Sequence, residues 1–75
     1  MKELVEYIAK SLADKPEAVV VTEEPDEEGL KLTLKVDDAD KGRIIGKQGR
    51  IAQAMRTLIR VKAAKAGTKA RLEIL

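Results

Sequence analysis

Two glycines in the middle of the chain enclose the residues best able to bind an anion. Gly46 and Gly49 flank Lys47 and Gln48 within the stretch RIIGKQGRI, residues 43–51. Glycine has no Cβ, so a phosphate can approach its backbone closely, and the free N–H groups at a helix start form an anion site. Gly46 can end one helix and Gly49 can begin another. The same residues could therefore form either a binding loop or a plain connector between two helices.

The charges around this loop favour an anion. The N-terminus of a helix carries roughly +0.5 of an elementary charge, which favours acidic neighbours. The nearby residues are instead basic: Lys41, Arg43, Lys47 and Arg50. Each like charge costs roughly a few tenths of a kcal/mol, and an anion would turn the repulsion into attraction. Gly42 lies within the first helix, where it costs up to about 1 kcal/mol relative to alanine. Close approach of a ligand, or of a packed helix, would account for it.

The charge of the chain is divided between its two halves. Residues 1–40 contain 5 Lys+Arg and 12 Asp+Glu, a net charge of −7, and residues 41–75 contain 10 Lys+Arg and 1 Asp+Glu, a net charge of +9; together they give +2. Such a basic half is typical of a surface that binds a polyanion. Attraction between oppositely charged halves of the folded protein would explain the same asymmetry, so the charges alone leave both interpretations open.

The residues needed for catalysis or metal binding are missing. The chain has no cysteine and no histidine, which removes thiolate ligands, the commonest metal ligand and the commonest general base. Ser11 is the only serine and has no histidine to activate it. The segment GRIIGKQ has three residues between its glycines, where a Walker loop needs four, and Gln48 replaces the required Ser or Thr. We therefore expect a protein that is not an enzyme and holds no metal or cofactor.

Two further features concern calcium and membranes. The acidic segment EEPDEEG, residues 23–29, lacks the spacing of a calcium loop and is predicted to be a solvated hairpin tip. No apolar stretch is long enough to span a bilayer, and the N-terminal MKELVEYIAK carries acids within its apolar stripe, unlike a signal peptide. The absence of cysteine fits a reducing compartment. We expect a cytoplasmic protein without a membrane partner.

The spacing of apolar residues predicts a helix followed by a hairpin. The helix precedes Pro16 and has an apolar stripe at helical spacing: Leu4, Val5, Ile8 and Leu12. Tyr7, the only aromatic residue, is expected to pack beside that stripe. The β-branched AVVVT, residues 18–22, and the alternating LKLTLKV, residues 30–36, predict an antiparallel hairpin. The alternating KARLEIL, residues 69–75, predicts a last strand.

Two more helices are predicted between the hairpin and the last strand. Asp38 or Asp40 can cap the first of them, and Gly67 can end the second. One side of the second helix collects apolar residues on a helical wheel: Ile51, Ala54, Met55, Leu58 and Val61. The other side collects Gln53, Arg56 and Arg60. The order α-β-β-α-α-β over residues 1–75 predicts a single α+β domain, with a three-stranded sheet and three helices packed on one face.

The segment IIGKQGRI between two helices resembles the GXXG loop of a KH domain, with the loop at residues 46–49. The order of elements is similar to the type II form of that domain. The whole chain resembles the small single-KH-domain RNA-binding proteins of bacteria, the KhpA-like family. The resemblance implies that four residues grip the sugar–phosphate backbone of about four nucleotides of single-stranded RNA, or of single-stranded DNA: Gly46, Lys47, Gln48 and Gly49.

The resemblance also implies a neighbouring apolar groove for the bases, formed by the two helices and the last strand. Three isoleucines could form its wall or belong to the core: Ile44, Ile45 and Ile51. Flanking phosphates would be held by nearby cations: Lys41, Arg43 and Arg50. Gly42 would let the strand approach. The positive rim would continue through three lysines: Lys62, Lys65 and Lys69. One departure is Ala52, three positions after the second glycine, where many KH domains have a larger aliphatic residue.

The resemblance further implies an RNA chaperone or post-transcriptional regulator. It would act as a homodimer, or as a heterodimer with a larger KH-containing protein, which would raise avidity. Because the chain has no Phe or Trp on which bases could stack, a single domain is expected to bind weakly. Two other functions stay open from the residues. One is a duplex-DNA reader that presents Gln53, Arg56 and Arg60 to the major groove; the other is a module that docks an acidic protein.

Overall fold

The computed structural model describes all 75 residues and contains the predicted order of elements. The helices are α1 (Lys2–Leu12), α2 (Asp38–Ile45) and α3 (Arg50–Lys65), and the strands are β1 (Val20–Asp26), β2 (Gly29–Lys35) and β3 (Ala70–Ile74). Two short 3₁₀ turns occupy Pro16–Ala18 and Lys47–Gly49. None of the helices combines the length and the apolar character needed to cross a membrane.

The three strands form one mixed sheet in the order β1-β2-β3. β1 and β2 pair antiparallel, with Val21 opposite Leu34, and β2 and β3 pair parallel, with Leu32 opposite Leu72. All four of these side chains are buried. Because alternate residues of a strand point to opposite faces, the buried set defines the face that the helices cover. The predicted hairpin and the predicted α+β architecture are confirmed.

The first strand lies further along the chain than its sequence suggested. It runs from Val20 to Asp26, so most of the acidic segment is strand, and only Glu27 and Glu28 form the turn. The predicted solvated hairpin tip is therefore confined to Glu27 and Glu28, and the preceding acids lie on an outer edge of the sheet. Charged side chains and Pro25 on an edge strand oppose pairing with other sheet edges.

The core lies between the sheet and the three helices. Its largest fully buried apolar side chains come from the central strand and from all three helices: Leu32, Leu34, Ile44, Met55, Ile59 and Val5. Burying one such side chain contributes roughly 1.5–3 kcal/mol. The helix that ends at the glycine loop is thus anchored in the core by one of its last residues, Ile44.

The buried face of α3 is not the one that the helical wheel suggested. Four of its residues are buried: Ala52, Met55, Ile59 and Ala63. Leu58 and Val61 instead keep 47% and 51% of their surface exposed. Apolar residues occupy most of the circumference of α3, so their spacing does not select the side that the sheet covers. Ala54, Leu58 and Val61 form an exposed line that we call the outer α3 stripe.

The first helix also departs from its prediction. α1 ends at Leu12, and Pro16 begins a 3₁₀ turn instead of ending the helix itself. Tyr7 is 73% exposed, so the expectation that it packs beside the apolar stripe is wrong. The buried residues of α1 are Val5 and Ala9. Tyr7 lies two positions from each of them, which places it on the opposite side of a helix.

The cap of α2 is Asp37, and neither Asp38 nor Asp40 has that role. The Asp37 carboxylate accepts a hydrogen bond from the N–H of Ala39 at 2.9 Å. Asp37 adopts the extended backbone that precedes a helix, whereas the other two aspartates already belong to it. Three nearby acidic residues offer similar capping chemistry, and only the backbone geometry decides which of them is used.

Asp40 instead ties the chain after α1 to α2. Its side chain is 2% exposed, and its carboxylate accepts hydrogen bonds from the N–H groups of Lys15 at 3.0 Å and Asp14 at 3.1 Å. These bonds lower the pKa of Asp40 below its ordinary value, and the bond from Lys15 has a larger effect than the bond from Asp14. Burial acts in the opposite direction and raises the pKa. Hydrogen bonds to the charged form favour ionisation in this way.

We predict that Asp40→Asn lowers the melting temperature by about 5 °C or more at pH 7, because an amide accepts at one oxygen only. The folded-state pKa is below the unfolded value of about 3.9. The stabilisation is therefore present above the unfolded value and is lost as the pH falls through the folded one. The difference between wild type and variant should be full above about pH 5 and should shrink below about pH 4. Thermal unfolding followed by circular dichroism measures both.

The matched control is Asp38→Asn on the same helix, since the Asp38 side chain is 99% exposed. It should change the melting temperature by less than about 2 °C. Equal effects of the two substitutions would show that burial and the two N–H donors give Asp40 no special role.

Candidate nucleic-acid interface

The bend between α2 and α3 requires glycine at its first position. Gly46 has φ 82° and ψ 169°, a region that only glycine adopts without strain. A Cβ at this position would lie 2.6 Å from Cγ1 of Ile51 and 2.9 Å from its backbone N. The N–H of Gly46 still donates to the C=O of Gly42 at 2.9 Å, which closes the last turn of α2. The prediction that Gly46 ends this helix is confirmed.

The second glycine precedes α3 and has a different reason to be glycine. Gly49 has φ 73° and ψ 14°, which is the left-handed conformation, and its missing Cβ would meet nothing within 4 Å. No side chain caps the start of α3, so its first backbone N–H groups are not bound by a cap. Gln48 is also left-handed, with φ 58°, the one residue other than glycine with positive φ. The loop thus places two successive left-handed residues before the helix start.

The cations predicted at this loop divide into free and paired groups. Lys47 is exposed and has no ion-pair partner, and Arg50 makes only a long 3.5 Å hydrogen bond to Oε1 of Gln48. Arg43 instead donates to Asp14 at 2.9 Å.

Lys41, the remaining predicted cation, is paired within its own helix. Its Nζ lies 3.8 Å from the Asp38 carboxylate, one turn earlier in α2. A phosphate that bound Lys41 would therefore compete with a carboxylate, as it would at Arg43. Lys47 and Arg50 carry the free charge of the predicted set.

The three isoleucines do not share one environment. Ile44 is fully buried in the core. Of the two roles left open for it, groove wall or core, it has the second, and it anchors α2. Ile45 and Ile51 are half-buried on either side of the loop. Gly42 is exposed, and a Cβ there would meet nothing within 4 Å. Close helix packing therefore does not explain why position 42 is glycine.

Arg56, which the sequence suggested only as a possible contact to duplex DNA, reaches the free edge of β3. Nε of Arg56 donates to the C=O of Leu72 at 3.5 Å. The C=O of Lys69 accepts a hydrogen bond from the N–H of Leu30 on β2. Successive residues of a strand direct their backbone groups alternately to one edge and to the other. The C=O of Leu72 therefore faces away from β2. The polar side of α3 thus lies along β3, which the helical wheel could not show because it carries no information about neighbours.

Two cavities follow this edge. They have volumes of about 120 and 550 Å³, and arginines line both. Neither touches the glycine loop or the half-buried isoleucines. Three arginines line the smaller cavity, and the larger one adds the carboxylates of the β1–β2 turn. The cavities beside α3 and β3 are therefore charged, unlike the apolar groove that the family resemblance implied.

Ion pairs use only part of the positive charge of the second half. Three of its ten cations pair with carboxylates: Lys41 with Asp38, Arg43 with Asp14 and Arg71 with Asp26. The other seven have no ion-pair partner: Lys47, Arg50, Arg56, Arg60, Lys62, Lys65 and Lys69. Attraction between the two halves thus exists, but it leaves most of the basic half free for an external anion.

The three lysines predicted to form one positive rim lie in two different places. Lys69 lines the larger cavity. Lys62 and Lys65 lie one helical turn from Leu58 and Val61, respectively, and so border the outer α3 stripe. The pKa of Glu3 on α1 is lowered mainly by its own N–H and by the N-terminal amino group, and slightly by Lys62.

Comparison with known proteins identifies close relatives. The family model described as "KhpA/KhpB, KH domain" matches residues 2–74. Proteins named RNA-binding protein KhpA from Clostridium perfringens and Clostridium acetobutylicum are 56% and 49% identical over 75 residues, covering 100% of this chain and of each relative. The protein of that name from Listeria monocytogenes is 49% identical, covering 100% of this chain and 99% of its own length.

One solved structure supports the fold. A crystal structure of Aquifex aeolicus Era bound to GDP.AlF4- matches with a TM-score of 0.64 and 22% identity. The match covers 97% of this chain and 28% of the Era chain. At this level of identity the likeness concerns the fold alone, and it agrees with the order α-β-β-α-α-β and the parallel last strand.

We predict opposite stability effects for alanine at two glycines only four positions apart. Gly46→Ala should destabilise by about 2 kcal/mol or more, because of its positive φ and the clash with Ile51. Gly42→Ala should stabilise by about 0.5–1 kcal/mol, since it lies in a helix with open space around it. Urea unfolding measures both free energies. A stabilised Gly46→Ala variant would contradict the tight bend described above.

Proposed function

The chain belongs to the KhpA/KhpB family of KH domains, a non-enzymatic family, and from this premise we propose that it binds single-stranded RNA through residues 46–49. KH domains clamp about four nucleotides by their backbone with a GXXG loop. The relatives matched above are named RNA-binding proteins. Single-stranded DNA has the same phosphates and is a second ligand of the proposed site.

The observation that carries this proposal is the conformation of the loop before α3. Two left-handed residues, Gln48 and Gly49, precede a helix start that no side chain caps. The N–H groups of Gly49 and Arg50 donate within the loop, to the C=O groups of Gly46 and Lys47. The uncapped start of α3 and its helix dipole are what would attract a phosphate. Lys47 and Arg50 stand beside them without carboxylate partners. Gly42, whose open side faces no protein atom, leaves room for the strand on α2.

The bases would lie along α3 and β3, between the half-buried isoleucines and Arg56. Ile45 and Ile51 offer apolar contact, and the guanidinium plane of Arg56 offers stacking of the kind that arginine gives to RNA bases. The free edge of β3 adds backbone groups for hydrogen bonds to base edges. Arginine stacking would partly replace the missing aromatic side chains. Affinity should still be modest for one domain.

The proposed cellular role is that of an RNA chaperone or post-transcriptional regulator in the cytoplasm. A protein that holds a few nucleotides weakly and carries no catalytic group can change RNA pairing without cleaving the strand. The duplex-DNA alternative loses support, because Arg56 lies along β3 and so is not presented with Gln53 as one open recognition face. A purely protein-binding role would leave the backbone geometry of the loop without a purpose.

We further propose that the protein works as a homodimer, or as a heterodimer with a larger KH-containing protein. The outer α3 stripe supports this, since Leu58 and Val61 remain about half exposed beside Lys62 and Lys65. Two linked sites raise apparent affinity without new contacts in either site, which suits a domain that binds only about four nucleotides.

Replacing Lys47 and Gln48 together with aspartate should reduce RNA affinity by about tenfold or more, because two carboxylates would then repel the phosphate. The change makes the net charge more negative by three. Fluorescence anisotropy with a labelled oligouridine, at one fixed salt concentration, measures the loss. For wild type, about three phosphate contacts predict a log–log salt slope near −2.

The control for this double variant is Lys35→Asp with Ser11→Asp, two exposed positions away from the loop. It changes the net charge by the same amount and should lower affinity by less than about threefold. If the loop variant folds normally and binds RNA as tightly as this control, residues 46–49 are not the phosphate site.

Leu58→Glu should convert a dimer to a monomer without loss of stability, because the side chain is already 47% exposed and a buried charge at an interface is costly. Analytical ultracentrifugation measures the mass. Gln53→Glu adds the same charge on another side of α3 and should leave the mass unchanged. An unchanged dimer in Leu58→Glu would place the interface elsewhere.

A further inference from the structure

A cavity of about 550 Å³ lies at the end of α3 remote from the glycine loop. The β1–β2 turn, the last turns of α3 and the start of β3 enclose it. Its volume falls within the range of roughly 300–1,000 Å³ that is common for small-molecule sites. The proposed loop site does not use this cavity, although the lining has its own distinct chemistry.

The lining combines free cations with free carboxylates. Arg60 and Lys69 have no ion-pair partner. Nε of Arg71 is held by Asp26 at 2.8 Å, which fixes this guanidinium and leaves its terminal N–H groups available. Glu27 and Glu28, at the turn, are exposed and also unpaired.

The cavity is continuous with the proposed path of the RNA bases. The smaller cavity beside Arg56 and Leu72 shares three lining residues with the larger one: Arg60, Ala70 and Arg71. Arg60 lies ten residues after Arg50, which is about 15 Å along an α-helix. A single strand that leaves the glycine loop and follows the α3–β3 edge therefore arrives at this cavity.

We propose that the cavity binds one further nucleotide of the same strand, with guanosine preferred, a proposal that rests on the RNA-binding function proposed above. Arg60 and Lys69 hold the phosphate that enters the cavity. The terminal N–H groups of Arg71 donate to O6 and N7 of guanine, the bidentate contact that arginine makes with this base. The carboxylate of Glu27 or Glu28 accepts from N1–H and N2–H of the same base.

Guanine is the base that satisfies both kinds of side chain. It presents two adjacent acceptors, N7 and O6, and two adjacent donors, N1–H and N2–H. Adenine has a donor where guanine has O6, so it cannot accept two hydrogen bonds from one guanidinium. Uracil and cytosine lack the N7 acceptor altogether. A polar group that loses water on binding and finds no partner reduces affinity, so a base that matches only some of these donors and acceptors should bind less tightly.

The test compares short oligoribonucleotides that differ by one terminal nucleotide. UUUU fills only the loop and its groove, whereas GUUUU and UUUUG add a guanosine at one end or the other; AUUUU and UUUUA are the adenosine counterparts. Titration of isotope-labelled protein, followed by NMR chemical shifts, measures weak dissociation constants at fixed salt. Guanosine at one end should raise affinity about fivefold or more over UUUU. Adenosine at that end should raise it less than about twofold.

Variants assign the gain to the cavity. Arg60→Ala should reduce the guanosine gain to less than about twofold. Its matched control is Lys35→Ala, which removes the same charge from an exposed position of β2 that lines neither cavity. The two variants should bind UUUU equally and differ only with the extended strand. Glu27→Gln combined with Glu28→Gln should abolish the preference for guanosine over adenosine.

The backbone amide signals of residues 27–29, which line only the larger cavity, supply a separate readout, since they should shift with the extended strand and not with UUUU. No gain from guanosine at either end, an equal gain from adenosine, or a gain that survives Arg60→Ala would each overturn the guanosine subsite while leaving the loop site intact. Failure to bind any oligonucleotide would refute the proposed function and the subsite together.

Discussion

The close approach of the Gly46 backbone to Ile51 is the constraint on which the whole binding edge depends. No side chain fits at position 46, so glycine is what allows α3 to begin only four residues after α2 ends. Ile44, fully buried two residues before the bend, fixes the other side. The loop is thus held in place by the core before any ligand arrives. A preformed loop loses less conformational entropy on binding, which matters for a site that offers only a few phosphate contacts.

The order of the strands turns the charge division of the sequence into a division in space. Glu23 and Glu24 lie on β1 and Arg56 lies beside β3, with β2 between them. The two kinds of charge meet only near the β1–β2 turn, where Asp26 pairs with Arg71. One edge of the sheet therefore repels a polyanion and the other attracts it. Charges arranged in this way raise the rate of encounter and select the orientation of approach. The parallel pairing of β3 makes this possible, because a strand joined by a hairpin could not bring the long helix α3 alongside the same edge.

The sequence allowed prediction of the order of elements, the hairpin and both glycine positions, because each depends on strong local signals: strict alternation in β2, and glycine where positive φ is needed. It did not allow prediction of which side of α3 is buried, since Ile51, Leu58 and Val61 are as apolar as Met55 and Ile59. The buried role of Asp40 was equally hidden, because its partners Lys15 and Asp14 are remote in sequence. The arginine edge was missed for the same reason. Long-range neighbours decide these features, and no local pattern encodes them.

The locally unfavourable features of this chain are concentrated in nine residues, 42–50. Elsewhere α2 has an aspartate cap, and α3 ends at Gly67 with the paired hydrogen bonds of a Schellman turn, Thr68 to Ala63 and Gly67 to Ala64. From position 42 to position 50, by contrast, a helix contains an unpacked glycine, Gln48 is left-handed, and a helix start carries cations where acids are favoured. Each departure reduces stability and each improves access for an anion. Natural chains keep such conflicts mainly where a function needs them, so their coincidence at one loop supports the phosphate site proposed there.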